Sequence, residues 1–387
     1  MANRTWWQGR AATLSWLVAL VAGLIVAAAY PAAANSGGGS KTPAVAVAPH
    51  YKVAGHANPA APPTFTCQVT TPAQCFGPAQ IRAAYGIDQV HADGTGRTIV
   101  IVDAFQSPTI QHDLNLFDQV FELPDTTVQI IAPDGLTPFN QADPNQTGWA
   151  GEISLDVEWA HAIAPGAKIL LVEATSNSFT NLLAAEDYAA NDAQYVSNSW
   201  GASEFSGENA YDGHFSHSGV SFFVSSGDNG TPAEYPSSSP NVISVGGTTL
   251  HFNGGNFSSE TGWSGSGGGC SVYETATTAQ SSFGQYGQVN CAGKRATPDV
   301  SLDADPASGV SVYDSTRYQG QKGWWQVGGT SASSPMVAAR AAVAGTVVNS
   351  AYVYGSSISY RDITSGNNGA SCLVGYDLVT GRGSWTH

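Results

Sequence analysis

Between Thr98 and Val245 the chain repeats one pattern, a short and nearly continuous apolar run rich in β-branched residues followed by a stretch with helical spacing. The runs are Thr98 to Val102, Val128 to Ile131, Ile169 to Val172, Tyr195 to Ser197, Val220 to Val224 and Val242 to Val245. Helical patterns cover His112 to Glu122, Gly151 to Ala164 and Thr180 to Asn191. Strands without polar alternation are buried on both faces, so the fold class is α/β: a parallel sheet with helices on both faces, with sites at the carboxyl ends of the strands. From Gly254 to Tyr286 the sequence turns Gly and Ser rich, which predicts long surface loops. No internal repeat and no second domain is visible.

The composition excludes some functions. Of 387 residues 42% are hydrophobic, as a globular core requires, but only 11% are charged, less than half the usual share of about 25%. A net charge of −15 and the lack of any Lys/Arg run exclude nucleic acid as a partner. Scarce charge also limits the repulsion created when carboxylates are protonated, which suits an acidic milieu.

Arg4 and Arg10 precede an apolar stretch, Ala11 to Ala29, and Ala32-Ala33-Ala34 offers a cleavage site. Residues 1–34 therefore read as a signal peptide, with an uncleaved anchor as the rival, and the protein as secreted and extracellular. Residues 35–64, rich in Gly, Ala and Pro, read as a flexible linker, and 65–387 as the folded domain. Five cysteines in an exported chain favour disulfides, with Cys67–Cys75 and Cys270–Cys291 as the sequence-local pairings and Cys372 left over. No spacing fits zinc.

Three segments could carry chemistry. Ser331, in Gly328-Gly329-Thr330-Ser331-Ala332-Ser333-Ser334-Pro335, follows small residues that let the chain turn into a helix. Its hydroxyl would then sit at a helix N-terminus, where backbone N–H groups can stabilise an oxyanion; the plainer role is an N-cap. A serine nucleophile needs a base, yet none of the nine histidines has a His-Gly-Thr-His setting. Glu152 and Asp156 offer an alternative, four apart on a predicted helix and so on one face. Buried together they can share a proton; otherwise they form, with Glu158, a solvated acidic face. Asp228, in Ser225-Ser226-Gly227-Asp228-Asn229-Gly230, follows a predicted strand and, if protonated, could donate to a tetrahedral intermediate; the plainer reading is an Asp-Asn-Gly turn.

The order Gly-Glu-x-x-x-Asp, Ser-Gly-Asp-x-Gly and Gly-Thr-Ser-x-x-x-Pro resembles the sedolisin family of serine-carboxyl peptidases, which share a subtilisin-like fold. The likeness spans roughly residues 76 to 384 and includes Gly77 to Gly86, Ile99 to Ala104 and Pro298 to Pro306. It implies that Ser331 is the nucleophile, Glu152 the general base, Asp156 its orienting partner and Asp228 the oxyanion donor, in an acid-active endopeptidase. Asp103, where subtilisins carry their triad aspartate, is read as structural. The resemblance also implies one structural calcium ion, held by the side chains of Asp362 and Asp377 and the backbone oxygens of Ile363, Leu373 and Gly375.

Two features depart from the family pattern. No long pro-domain fits between the signal segment and Cys75, and the chain ends at Gly383-Ser384-Trp385-Thr386-His387, which reads as a shortened C-terminus. Expected partners are protein or peptide substrates, with no stable membrane association after signal cleavage and a monomeric state. The alternatives are a histidine-dependent subtilisin, a carboxylate-only glycosidase, and a catalytically silent relative acting as an extracellular binding protein. The last is opposed by all four catalytic positions being filled.

Overall fold

A computed structural model describes residues 45–56, 76–253, 255–355 and 358–386. The expected signal peptide and the Cys67–Cys75 pair lie outside them. In chain order the strands are β1 (Ala48–Pro49), β2 (Lys52–His56), β3 (Thr98–Ala104), β4 (Gln129–Ile131), β5 (Lys168–Ala174), β6 (Tyr195–Asn198), β7 (Trp200–Ser203) and β8 (Ser221–Ser225). They continue with β9 (Glu234–Tyr235), β10 (Ile243–Asn253), β11 (Asn256–Gly262), β12 (Gly269–Thr275), β13 (Lys294–Thr297), β14 (Val300–Asp303), β15 (Val310–Tyr318) and β16 (Gln321–Gly328). The helices that matter here are α1 (Pro78–Ala84), α2 (Ile110–Phe121), α3 (Pro144–Ile163), α4 (Phe179–Asp192) and α5 (Thr330–Ala344).

The central sheet runs β11-β10-β8-β6-β3-β5-β4, with β14 beside β10. All its pairings are parallel except β10 with β11. This is the α/β sheet that the apolar runs predict. On β3, Ile99 and Ile101 face one core with residues of α3 and α5, while Val100 and Val102 face another with α4. Side chains alternate across a strand, so a sheet covered on both faces leaves no register free for polar residues.

The expected helix at Gly151 begins seven residues earlier, at Pro144. Asp143 caps it, its side chain accepting from Asn145 N, and Pro144 fills the first position, where a missing N–H costs nothing.

Two expectations are corrected. Gly254 to Tyr286 is not simply loop: β11 pairs antiparallel with β10, and β12 with β13. Ladder bonds come from the backbone, so an edge strand can be built from Ser, Thr and Gly. The Cys270–Cys291 disulfide ties β12 to the turn before β13, and Cys372 is free and buried. The flexible linker expected over 35–64 is also wrong for its described part. β1 pairs antiparallel with β7 and β2 with β16, so that residues 48–56 are bound along existing strand edges. Backbone pairing supplies what small side chains cannot. Among the described residues no helix is long and apolar enough to cross a membrane.

Candidate active site

The site forms where α5 meets the carboxyl ends of β3, β6 and β8. Gly329 precedes α5 with φ 107°. A Cβ there would lie 2.2 Å from His50 O and 2.6 Å from Asp228 Oδ2, so glycine alone fits the turn. Ser331, second in the helix and fully buried, donates from Oγ to Ser199 O at 3.2 Å. Among the described residues no imidazole is a hydrogen-bond partner of this hydroxyl. Pro335 has no N–H to offer the Ser331 carbonyl, and the Ser199 hydroxyl stands 3.5 Å from that oxygen instead.

Glu152 and Asp156 lie on α3, which is buried over most of its circumference. The solvated acidic face is thereby excluded: Glu158 is fully buried too, its Oε2 accepting from Tyr313 N at 3.0 Å. Neither Glu152 oxygen has a hydrogen-bond partner among the described residues. Burial, then the Asp156 and Asp103 carboxyls, push the Glu152 pKa well above the carboxylate range, against a smaller lowering by Ser331. Burial and Asp103 do the same to Asp156, which accepts from Ser199 Oγ at 2.9 Å.

Asp103 is therefore not an isolated structural residue. It is fully buried one residue before the end of β3, both oxygens lack hydrogen-bond partners among the described residues, and its charge acts on Glu152 and Asp156 alike. Burial and Glu173 raise its own pKa. Three carboxyls this close in a dry interior cannot all ionise, and they titrate as one system.

Asp228 follows β8. Its Oδ1 accepts from Thr330 N at 2.8 Å, with the Thr330 hydroxyl 3.0 Å away. Oδ2 is buried without a hydrogen-bond partner among the described residues. Burial raises this carboxyl to about 6, partly opposed by His50 and by hydrogen bonding from Thr330. Oδ2 lies beside the start of α5, within 2.6 Å of where a Cβ on Gly329 would sit.

The four expected catalytic residues are brought together. Ser199 and Thr330 were missed, although Ser199-Trp200-Gly201 directly follows β6, the kind of strand-end position that singled out Asp228.

The C-terminal loop gathers the expected calcium ligands. Asp362 accepts from Gly375 N at 3.0 Å, and Asp377 accepts from Leu373 N, Val379 N and Thr380 N. Burial raises Asp377, despite these hydrogen bonds. Two carboxylates beside a glycine-containing loop are hard oxygen donors and fit a calcium ion in kind. Among the described residues, however, no three His, Cys, Asp or Glu side chains cluster to hold a metal.

Residues 143–361 match the Subtilase family. Kumamolisin of Bacillus sp. (strain MN-32) is 29% identical over 354 residues, covering 80% of this chain and 62% of that protein. Sedolisin of Pseudomonas sp. (strain 101) is 34% identical over 206 residues, 43% of this chain and 33% of its own length. Xanthomonalisin of Xanthomonas sp. (strain T-22) is 35% identical over 185 residues, 39% and 21% respectively. The chain thus spans under two thirds of the length of these relatives. A solved lanthipeptide protease shares the fold, with a TM-score of 0.52 at 17% identity over 80% of this chain and 92% of that one. The solved Pseudomonas sedolisin, a serine-carboxyl proteinase complexed with two molecules of pseudo-iodotyrostatin, superposes with a TM-score of 0.68 at 30% identity, covering 81% of this chain and 96% of its own. On that match and on the subtilase core, this chain belongs to the sedolisin family of serine-carboxyl peptidases.

Proposed function

We propose that the protein is a secreted, monomeric endopeptidase that hydrolyses peptide bonds of proteins in acid through an acyl-enzyme on Ser331. The observation that carries this reading is Glu152, a fully buried carboxyl without a hydrogen-bond partner among the described residues, held up by burial and by the Asp156 carboxyl and lowered by Ser331. Ser331 Oγ adds to the scissile carbonyl and its proton passes to Glu152. The pair needs one negative charge for this: with Asp156 keeping its proton, the shared charge leaves Glu152 free to take the proton from Ser331. Ser331 N–H and protonated Asp228 hold the developing oxyanion. Collapse releases the amine, which carries the proton from Glu152, and water then hydrolyses the ester by the reverse route. Above its pKa of about 6 Asp228 loses the proton it would donate, so activity fades towards neutral pH.

Asp362 and Asp377, with the backbone oxygens of Ile363, Leu373 and Gly375, hold one calcium ion that stabilises the C-terminal loop. Cleavage of an unfolded protein, followed from pH 3 to 8 for wild type and Ser331→Ala, tests the peptidase reading. Activity in acid that vanishes in the variant supports it; no acid activity, or equal activity in both, refutes it.

A further inference from the structure

Residues 48–56 lie extended in the cleft and mark where the residues beyond an attacked carbonyl go. Ala48 pairs antiparallel with Gly201 and Pro49 with Trp200. His50 N donates to Ser199 O at 3.1 Å, and Ser331 N donates to His50 O at 2.9 Å. The His50 imidazole, 2.8 Å from Ser225 Oγ and 3.0 Å from Glu234 Oε2, fixes that register. One peptide bond, His50–Tyr51, is thereby set against Ser331. Tyr51 and Lys52 stand where the first two residues on the leaving-amine side of a scissile bond would stand.

Tyr51 reaches between α3 and the β15–β16 hairpin, and its hydroxyl donates to Gly148 O at 3.0 Å. Gly151, next to the base Glu152, leaves the room: a Cβ there would lie 3.2 Å from the Tyr51 hydroxyl. The cavity beside the phenol is walled by Gly151, Val312, Asp314, Tyr318 and Trp325, with the Tyr318 ring centroid 6.4 Å from that of Tyr51. Burial raises Asp314 to about 7, so in acid this wall carries no charge. Apolar and aromatic walls with one aimed acceptor suit a phenol.

The next side chain turns to a different partner. The Lys52 ammonium donates to Asp228 O and lies over the Trp263 ring, 5.3 Å from its centroid. An indole face attracts a cation so placed through its quadrupole. Lys52, Val53, Gly55 and His56 then pair with Gly328, Val327, Gln326 and Trp325, so β16 offers its edge to the rest of the leaving side.

We propose that the leaving-amine side of the cleft selects a phenol followed by a cation. The pocket at Gly148, Gly151 and Tyr318 takes Tyr as the first residue after the cleaved bond, and Trp263 takes Lys or Arg as the second. The inference rests on the peptidase reading of Ser331 and narrows its substrates to extended segments with a Tyr-Lys or Tyr-Arg step. Gly151 and Trp263 determine specificity, since they meet side chains beyond the reacting atoms.

Four twelve-residue peptides, alike except for Tyr-Lys, Phe-Lys, Tyr-Gln or Ala-Lys after a central His, test this with the full chain at pH 4. An unfolded protein is digested in parallel, and kcat/KM is read from product masses. Wild type is expected to cut before Tyr-Lys about fivefold faster than before Phe-Lys, the worth of one hydroxyl hydrogen bond. It should also favour Tyr-Lys about fivefold over Tyr-Gln through the indole. Trp263→Leu should abolish the Lys-over-Gln ratio and keep the Tyr-over-Phe ratio. Gly151→Ala, which crowds the phenol, should lower the Tyr-over-Ala ratio at least threefold and keep the Lys-over-Gln ratio. Ratios are the readout, because a variant that merely loosens the site slows all four peptides alike. Equal rates on the four peptides, or no cut in any, while the protein is digested overturn the proposal and spare the peptidase reading. So do ratios that both variants leave unchanged. Digestion of neither peptides nor protein at any pH defeats both.

Discussion

Thr330 fixes Asp228 by one oxygen: its N–H donates to Oδ1 at 2.8 Å and its hydroxyl stands 3.0 Å from the same atom, while Oδ2 has no hydrogen-bond partner among the described residues. One threonine thus orients a carboxyl that burial keeps protonated in mild acid. Asp228→Ala is expected to lower kcat by about 10²–10³ with little change in KM, the usual cost of one oxyanion donor. Asp228→Asn keeps a donor that does not ionise, so the fall in activity near pH 6 should shift upwards or disappear. An unaltered pH–rate profile in the Asn variant would rule out this role.

Ser331→Ala should reduce proteolysis by about 10⁴-fold or more, since members of a catalytic unit fail together. The hydroxyl's hydrogen bond to Ser199 O is lost, at a cost of about 1 kcal/mol. A melting curve close to wild type alongside lost activity would separate chemistry from folding.

Stability should fall as the pH rises from about 4 to 8. Asp228 moves from 3.8 to about 6 on folding and Glu186 from 4.5 to about 8, both chiefly through burial. Between those values the unfolded chain is ionised while the folded one still holds its protons, so each rise in pH favours unfolding. For Asp228 alone the rise to about 6 amounts to about 3 kcal/mol. Calorimetry across this range should show a falling Tm; a flat or rising Tm would contradict it.

Adding a calcium chelator should lower Tm, because an ion bound only by the folded state stabilises by mass action. Asp377→Asn should show a lower Tm and no further response to chelation. A wild-type Tm indifferent to chelator and to added calcium would remove the ion from the C-terminal loop.

Opening Cys270–Cys291, 21 residues apart, should cost about 3 kcal/mol by loop entropy. Chemical denaturation of the Cys270→Ser, Cys291→Ser double variant measures it.

Much of the site is legible in the sequence because its residues sit at positions that local rules identify. Ser331 follows a Gly-Gly-Thr turn into a helix, Asp228 follows a buried strand, and Glu152 and Asp156 share a face by helical spacing. Asp103 was visible at the end of β3 but its neighbours were not, since its carboxyl meets Glu152 and Asp156 only when β3 lies beneath α3. His50 carried no signal at all. In a stretch of Gly, Ala and Pro its place depends on two distant strand edges, β7 and β16, and on the pocket that Ser225 and Glu234 form.

Period and punctuation along the chain determined the parallel α/β sheet and the order of the chemical motifs, because these depend on neighbours within a few residues. Tertiary structure decided which carboxyls are dry enough to hold protons, which Asp228 oxygen is left free, and which peptide bond lies against Ser331. Desolvation and backbone pairing across more than a hundred residues set all three, and neither leaves a mark in local sequence.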